Sequence, residues 1–437
     1  MKSFIITTAL ISVLASVYGG NPIKKDFGMA DPHAYVFNDK VYLFTTRDID
    51  PKAKKFVMPE WNIFSSDNLV EWKHERTILP AETYMGKSDN CWATETVHKN
   101  GKYYFYFSNA NINTGVMVAD RPEGPYTDAL RRPLLPKSLT KGKEYDPTVI
   151  VNDDNNAYIV FGHYSKDNPD LRYFIAKLSD DMISLAEQPR ILEINGEKNV
   201  LGSNDKPNLH KRNGLYYLSA GSHYAISKNV YGPYERVGNS GNGQYGLDGK
   251  AHGNYFKWKN QWFHTWCNFH LGKETAYFRE SYISYLHYRD NGEMVTDVVL
   301  LNKHFENGVG QYSANWDKVE AEWFMEASRE SMKKEIPGGF GITSMKSGEY
   351  LCYPNMKNLG NKKTVDFRLK VLGKGEIEIR DKSPMGRLLG CLKLSDSMVK
   401  PGFINITTSI DAKNASSVCL VFKGGSDFCT IDWFSFK

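Results

Sequence analysis

Helical periodicity, long apolar runs and clustered charge are all scarce in this sequence. Apolar residues seldom recur at the spacing of an amphipathic helix, which argues against an α-helical or mixed α/β domain. Beyond the N-terminal segment, no apolar run reaches the roughly 20 residues that a membrane-spanning helix needs. The net charge is only +5 over 437 residues, and basic residues are not gathered into a nucleic-acid-binding patch. These absences predict an all-β protein with no nucleic-acid partner.

Cysteine is also sparse, with six in the whole chain and no CxxC pair of the kind that binds zinc. Two cysteines lie far apart in the first part of the chain, and four gather near its end, at positions 352, 391, 419 and 429. One or two disulfides are expected among these four, and the pairing is left open.

The N-terminal segment predicts export. It has Lys2, an apolar run over residues 4–17 and small residues near Gly19. This is the pattern of a secretory signal peptide, whose apolar part is too short to span a membrane. We expect residues 1–19 to be removed, leaving a secreted monomer, extracellular or periplasmic, with no membrane contact.

Short aromatic and β-branched runs recur after polar turns: "KVYLFTT", "KYYFYFS", "AYIVFGH", "LYYLSAG" and "QWFHTWC". Their starts lie roughly 45 to 60 residues apart, the period of four-stranded propeller blades. The five units predict a five-bladed β-propeller over residues 20–316, and a generic β-sandwich is the poorer alternative. The repeat stops near Asp317, and alternating strands over residues 317–437 predict a separate β-sandwich of the jelly-roll kind.

Three of the five units carry an acid close to a proline, ahead of an apolar strand. These acids are Asp31 in "ADPHAYVF", Asp146 in "YDPTVIV" and Asp205 in "NDKPNLHK". A single Asp-Pro pair is an ordinary turn. Because the first strand of each blade lines the funnel of a propeller, however, three acids at matching positions converge there. Converging carboxylates suit general acid and base catalysis, and glycoside hydrolysis is the reaction that uses such a pair.

The order and spacing of "ADP", "CWATETV", "YDPTVIVNDDNNAYIVFG", "NDKPNLHKRNGLYYLSAG" and "KAHGNYFKWKNQWF" resembles glycoside hydrolase family 43 over nearly all of residues 25–310. That family consists of five-bladed propellers. The resemblance implies an inverting mechanism, with Asp31 as general base and Asp205 in the general-acid position. It implies that Asp146 tunes the pKa of the acid and orients the substrate.

The general-acid position departs from the family pattern. Most members have Glu in a Glu-Gly-Pro-like triplet, where this chain has Asp205, Lys206 and Pro207. Aspartate is shorter, and a misplacement of about 1 Å can cost on the order of a hundredfold in rate. A neighbouring cation also lowers the pKa of an acid, although alternation along a strand allows Lys206 to face away. Glu197 is the fallback acid.

Four further residues are candidates for substrate binding. Trp92 matches the tryptophan-alanine motif of the family and suits an aromatic floor for a sugar ring. Glu95 is either a substrate contact or a hydrogen-bonding partner behind the site. His252 matches the fifth-blade histidine of the family, which implies a place near a central calcium. Arg279 is positioned to contact a sugar hydroxyl or a carboxylate.

The last part of the chain resembles carbohydrate-binding module family 6, through "VEAEWF" at its start and "IDWFSFK" at its end. In that family, acids at the places of Glu320, Glu322 and Asp432 ligate a structural calcium, for which carboxylate oxygens are suited. Tyr350 and Phe428 are candidates for stacking on a sugar.

These patterns predict a secreted, exo-acting, inverting glycosidase that needs no cofactor for its chemistry. The expected substrates are plant or algal polysaccharides or oligosaccharides with arabinofuranosyl, xylosyl or galactosyl residues. The alternative is a non-catalytic carbohydrate-binding propeller with a degenerate acid position. Asp205 in place of Glu keeps that alternative open.

Overall fold

The computed structural model describes residues 20–163, 168, 170–195, 206–240, 252–268, 275, 277–297 and 308–437. Strands dominate these residues. The helices among them are single 3-10 turns, at Pro80–Glu82, Ala321–Trp323, Glu330–Met332 and Asp396–Met398. None of the helices described is long and apolar enough to cross a membrane. The all-β prediction is confirmed.

Five sheets follow one another along the first part of the chain. The first contains β1 (Met29–Phe37), β2 (Lys40–Arg47), β3 (Trp61–Ser66) and β4 (Lys73–Ile78). The second contains β5 (Cys91–Lys99), β6 (Lys102–Asn109) and β7 (Asn113–Ala119). The third contains β8 (Thr148–Val151), β9 (Ala157–Gly162), β10 (Tyr173–Lys177) and β11 (Arg190–Ile191). The fourth has β13 (Pro207–Arg212), β14 (Leu215–Ala220), β15 (His223–Ser227) and β16 (Tyr234–Asn239) as its first to fourth strands, and the short β12 (Ile194–Asn195) pairs in parallel with β16 at the outer edge. The fifth contains β17 (Tyr255–Trp258), β18 (Gln261–Asn268), β19 (Glu280–Tyr288) and β20 (Met294–Thr296).

Two-residue turns set the register of the first hairpin in four of these sheets. Both turn residues have positive φ, the conformation of a type I′ turn, whose twist matches that of the strands it joins. The turns are Asn38-Asp39, Asn100-Gly101, Asn213-Gly214 and Lys259-Asn260. The five aromatic runs of the sequence are the second strands of the five sheets: β2, β6, β9, β14 and β18.

The first strands of the sheets lie next to one another. Strand β1 packs against β5, β5 against β8, β8 against β13, and β17 against β1. The residues at the start of these strands therefore gather in one place, as the funnel hypothesis requires.

Two larger sheets form the last part of the chain. The strands of this part are β21 (Tyr312–Ser313), β22 (Val319–Glu320), β23 (Glu326–Ala327), β24 (Lys333–Ile336), β25 (Gly339–Ile342), β26 (Tyr350–Tyr353), β27 (Met356–Lys357), β28 (Thr364–Val371), β29 (Gly375–Arg380), β30 (Leu388–Leu394), β31 (Ile404–Ser409), β32 (Val418–Gly424) and β33 (Cys429–Phe436). One sheet has the order β24-β25-β33-β28-β31, with β22 beside β33, and the other has the order β23-β26-β32-β29-β30. A disulfide joins Cys352 on β26 to Cys419 on β32, whereas Cys391 and Cys429 are free thiols.

The two parts of the chain share an apolar core, which includes Phe64 and Phe263 from the sheets of the first part and Phe324 from the second. The Gln261 side chain donates hydrogen bonds to the carbonyl oxygens of Glu322, at 2.8 Å, and Phe324, at 2.9 Å. The predicted boundary near Asp317 falls between β21 and β22, in a stretch packed against both parts.

Candidate active site

Asp31 lies at the start of β1, in a β-bulge where two residues oppose one on β2. Its φ is 50°, in the left-handed region. Such a bulge re-aims a side chain, and the Asp31 carboxylate is 1% exposed. Thr46 Oγ1 donates a hydrogen bond to Oδ2 at 2.7 Å, and Arg279 Nη1 donates to Oδ1 at 2.7 Å. His252 Nδ1 also contacts Oδ1.

A second acid, which the sequence analysis missed, holds Arg279 in place. Asp48 accepts from Arg279 Nε at 2.9 Å and from Nη2 at 3.0 Å, and its Oδ2 also accepts from the Arg279 backbone N–H at 2.8 Å. Both side chains are buried. The guanidinium group is therefore fixed between Asp31 and Asp48. No sequence motif singled out Asp48, which follows β2 in a polar loop.

The surroundings of Asp31 keep its carboxylate ionised. Burial opposes ionisation, but the positive charges of Arg279 and His252 outweigh it and hold the pKa of Asp31 well below its usual range. A general base must be ionised before it can accept a proton, so this environment suits the predicted role.

Asp146 repeats the local geometry of Asp31 in the third sheet. It precedes Pro147 and β8, its φ is 53°, and it is 1% exposed. Its backbone N–H donates to Ser108 Oγ at 2.8 Å, and the hydroxyl of Ser108 donates to its Oδ1 at 3.3 Å. The matching backbone supports the prediction that these two acids occupy equivalent places.

A buried lysine lies among the acids. Lys206 Nζ is 2.7 Å from His33 Nε2 and 3.5 Å from Glu95 Oε2. His33 Nδ1 donates to the Asp31 carbonyl oxygen at 2.9 Å, so Nε2 is the atom that accepts from Lys206. Lys206 precedes β13, and its side chain reaches across to His33 on β1 and Glu95 on β5. Because Asp205 lies outside the described residues, the prediction that Lys206 faces away from it stays a prediction.

Burial governs the protonation of this cluster. Burial raises the pKa of Glu95 to about 7, although Lys206 lowers it. Burial and the Lys206 charge hold the pKa of His33 well below its usual value, so the imidazole is neutral. Glu95 is completely buried, and its nearest cation is Lys206, at 3.5 Å. Its role, as a substrate contact or as a partner behind the site, stays a prediction.

Aromatic rings flank the acids. Trp92 is half-buried on β5 and packs edge-on against Phe56, with 5.9 Å between ring centroids, and against Tyr145, at 6.2 Å. Tyr277 packs against Phe56 in turn, at 5.0 Å. An apolar ring face beside buried carboxylates is the arrangement expected for holding a sugar.

Asp205 and the fallback acid Glu197 lie outside the described residues. Their assignment as general acid remains a prediction.

The predicted calcium ligands of the C-terminal part are only partly suited to a cation. Glu320 and Glu322 repel each other, and burial with that repulsion raises the pKa of Glu322 well above its usual value. Glu322 Oε2 has no hydrogen-bond partner, whereas Asp432 is paired with Arg368 at 2.7 Å. No group of three or more His, Cys, Asp or Glu side chains in the described ranges is arranged to hold a metal ion. The calcium site therefore stays a prediction.

Buried carboxylates beside the half-buried rings of Phe56, Trp92 and Tyr277 are the arrangement expected of a site that acts on carbohydrate. The family model for glycosyl hydrolases family 43 matches residues 20–294, and the chain belongs to this family. Such enzymes need no cofactor for their chemistry.

Two similar proteins extend the match beyond residues 20–294 to nearly the whole chain. An arabinoxylan arabinofuranohydrolase from Paenibacillus polymyxa is 27% identical over 94% of this chain and 73% of its own length. Xylosidase/arabinosidase 43A from Humicola insolens is 28% identical over 63% of this chain and 98% of its own. A solved family 43 arabinoxylan arabinofuranohydrolase from Bacillus subtilis, in complex with cellotetraose, superposes with a TM-score of 0.57 at 23% identity, covering 96% of this chain and 99% of that one. The chain is a glycoside hydrolase.

Proposed function

We propose that this protein is a secreted, inverting exo-glycosidase that removes arabinofuranosyl or xylosyl side residues from a plant polysaccharide of the arabinoxylan type. The observation that carries the proposal is the ionised, buried Asp31, which accepts hydrogen bonds from Arg279 and Thr46 near the aromatic rings of Phe56 and Trp92. The similarity to an arabinoxylan arabinofuranohydrolase over 94% of this chain supports the choice of substrate.

In the proposed reaction, Asp31 accepts a proton from a water molecule, which attacks the anomeric carbon of the sugar. Asp205 protonates the departing glycosidic oxygen, so the bond breaks in a single displacement that inverts the configuration. Asp146 orients the substrate and tunes the acid. Trp92 supports the sugar ring through its exposed face.

The proposed architecture is a five-bladed β-propeller over residues 20–316 and a carbohydrate-binding β-sandwich over residues 317–437. Five successive sheets whose first strands lie side by side support the propeller. Two antiparallel sheets whose side chains contribute to one apolar core support the sandwich. The disulfide between Cys352 and Cys419 supports export, since such bonds persist in oxidising compartments.

The proposal is tested by the sugars that the purified mature protein releases from arabinan, arabinoxylan, xylo-oligosaccharides and β-1,3-galactan, separated by chromatography. We expect a single pentose from arabinoxylan and none from the Asp31→Asn variant, whose amide cannot accept the proton of the water. Equal release by the wild type and Asp31→Asn would contradict the role of Asp31.

The non-catalytic alternative does not stand, because the chain is a glycoside hydrolase. The effect of the shorter acid at position 205 is tested by Asp205→Glu, and a gain of sugar release on that change would identify an enzyme weakened at this position.

A further inference from the structure

Lys206 joins three of the five sheets through its charged end. The residue precedes β13 in the fourth sheet, and its Nζ reaches Glu95 on β5, in the second sheet, and His33 on β1, in the first. The side chains of Lys206 and Glu95 are 1% and 0% exposed. A lysine this deeply buried loses its hydration, and its ammonium group is retained only where acceptors surround it.

The carboxylates of the site already face cations supplied by the chain. Arg279 bridges Asp31 and Asp48, and Lys206 lies beside Glu95. The predicted calcium near His252 therefore does not fit. His252 turns Nδ1 toward Asp31, and a divalent ion placed among these groups would meet two buried positive charges.

We propose that the Lys206 ammonium group is the built-in cation of the funnel, which holds Glu95 and His33 in place where a bound metal ion is otherwise expected. Lys206 is thus a positioning residue. The assignment makes the site independent of added metal.

The test is a double-mutant cycle on thermal unfolding in buffer containing EDTA, with Lys206→Met, Glu95→Gln and the double variant. Each single change leaves one buried charge without its partner and lowers Tm by several degrees. The double variant removes both charges, so its Tm falls by clearly less than the sum of the two single shifts.

A matched control comes from β13, the strand that directly follows Lys206. Lys211 Nζ pairs with Asp153 at 2.8 Å, but the Asp153 side chain is 90% exposed. The cycle of Lys211→Met with Asp153→Asn is expected to give additive shifts close to zero, because exposed ion pairs contribute little.

Additive shifts at Lys206 and Glu95, matching those of the control cycle, would overturn the proposal. A second measurement uses the wild type: its kcat is expected to be the same in EDTA and in millimolar calcium, and loss of activity in EDTA would also overturn it. Thermal unfolding requires no turnover. An inactive protein would therefore contradict the proposed function, but the double-mutant cycle on thermal unfolding would still test the role of Lys206.

Discussion

At the scale of single residues, charge pairing decides what each group at the site can do. Asp31 and Glu95 are both buried carboxylic acids, yet the pKa of Asp31 is held well below its usual range and that of Glu95 is raised to about 7. The difference follows from their partners. Arg279 and His252 both contact the Asp31 carboxylate directly, whereas Lys206 lies 3.5 Å from Glu95 and does not offset the burial of that acid.

Asp48 is expected to matter for catalysis although it is not expected to touch substrate. Asp48→Asn removes the charge that fixes Arg279, so the guanidinium shifts relative to Asp31. We expect kcat to fall roughly ten- to hundredfold, the order of loss for a misplacement of about 1 Å. Steady-state kinetics on arabinoxylan oligosaccharides measure this, with KM changed by about twofold or less.

Asp50→Asn is the matched control, since Asp50 is exposed two residues further on. Equal kcat values for the Asp48 and Asp50 variants would show that the hydrogen bonds between Asp48 and Arg279 have no part in the reaction.

At the scale of elements, turns and bulges place the site residues. The Asn-Gly and related turns were readable from the sequence, and so were the five aromatic second strands that follow them. The residue types of the first hairpin did not indicate the bulge at Asp31. The approach of Asp48 could not be predicted because it depends on Arg279, 231 positions further along the chain. The burial of Lys206 was missed for the same reason: alternation along one strand does not reveal which neighbouring strands surround a side chain.

Gly28 tests how tightly the chain is packed behind Asp48. Its φ is +76°, and a Cβ atom there would lie 1.8 Å from the Asp48 carbonyl oxygen. Gly28→Ala must therefore displace the backbone of β1 or of Asp48. We expect a loss of about 3 kcal/mol or more in the free energy of unfolding, together with loss of activity.

Gly101→Ala separates this packing effect from backbone strain. Gly101 has the same φ of +76°, with nothing within 4 Å of the added Cβ atom. Its expected loss is only about 1 kcal/mol. Urea unfolding compares the two variants, and equal losses would mean that the contact with Asp48 imposes no constraint.

At the scale of the whole molecule, the sequence predicted the all-β class and the family, and it predicted Asp31 and Asp146 as a matched pair. It treated the two parts of the chain as separate units. The structure shows an apolar core with residues of both parts, and Glu330 of the second part pairs with Arg212 and Lys257 of the first, each at 2.8 Å. The contact between Arg212 and Glu330 joins residues 118 positions apart, which no local pattern reveals. The domain boundary stays a prediction.

The central claim is that Asp31 activates water for a single displacement at the anomeric carbon. Proton NMR of the reaction on an α-L-arabinofuranosyl oligosaccharide tests it most directly, because it records the configuration of the sugar before the two anomers interconvert. If Asp31 activates water in this way, the first sugar released has the opposite anomeric configuration to the substrate, and Asp31→Asn gives no such signal. Release with the same configuration as the substrate would require a covalent double displacement and would contradict the account.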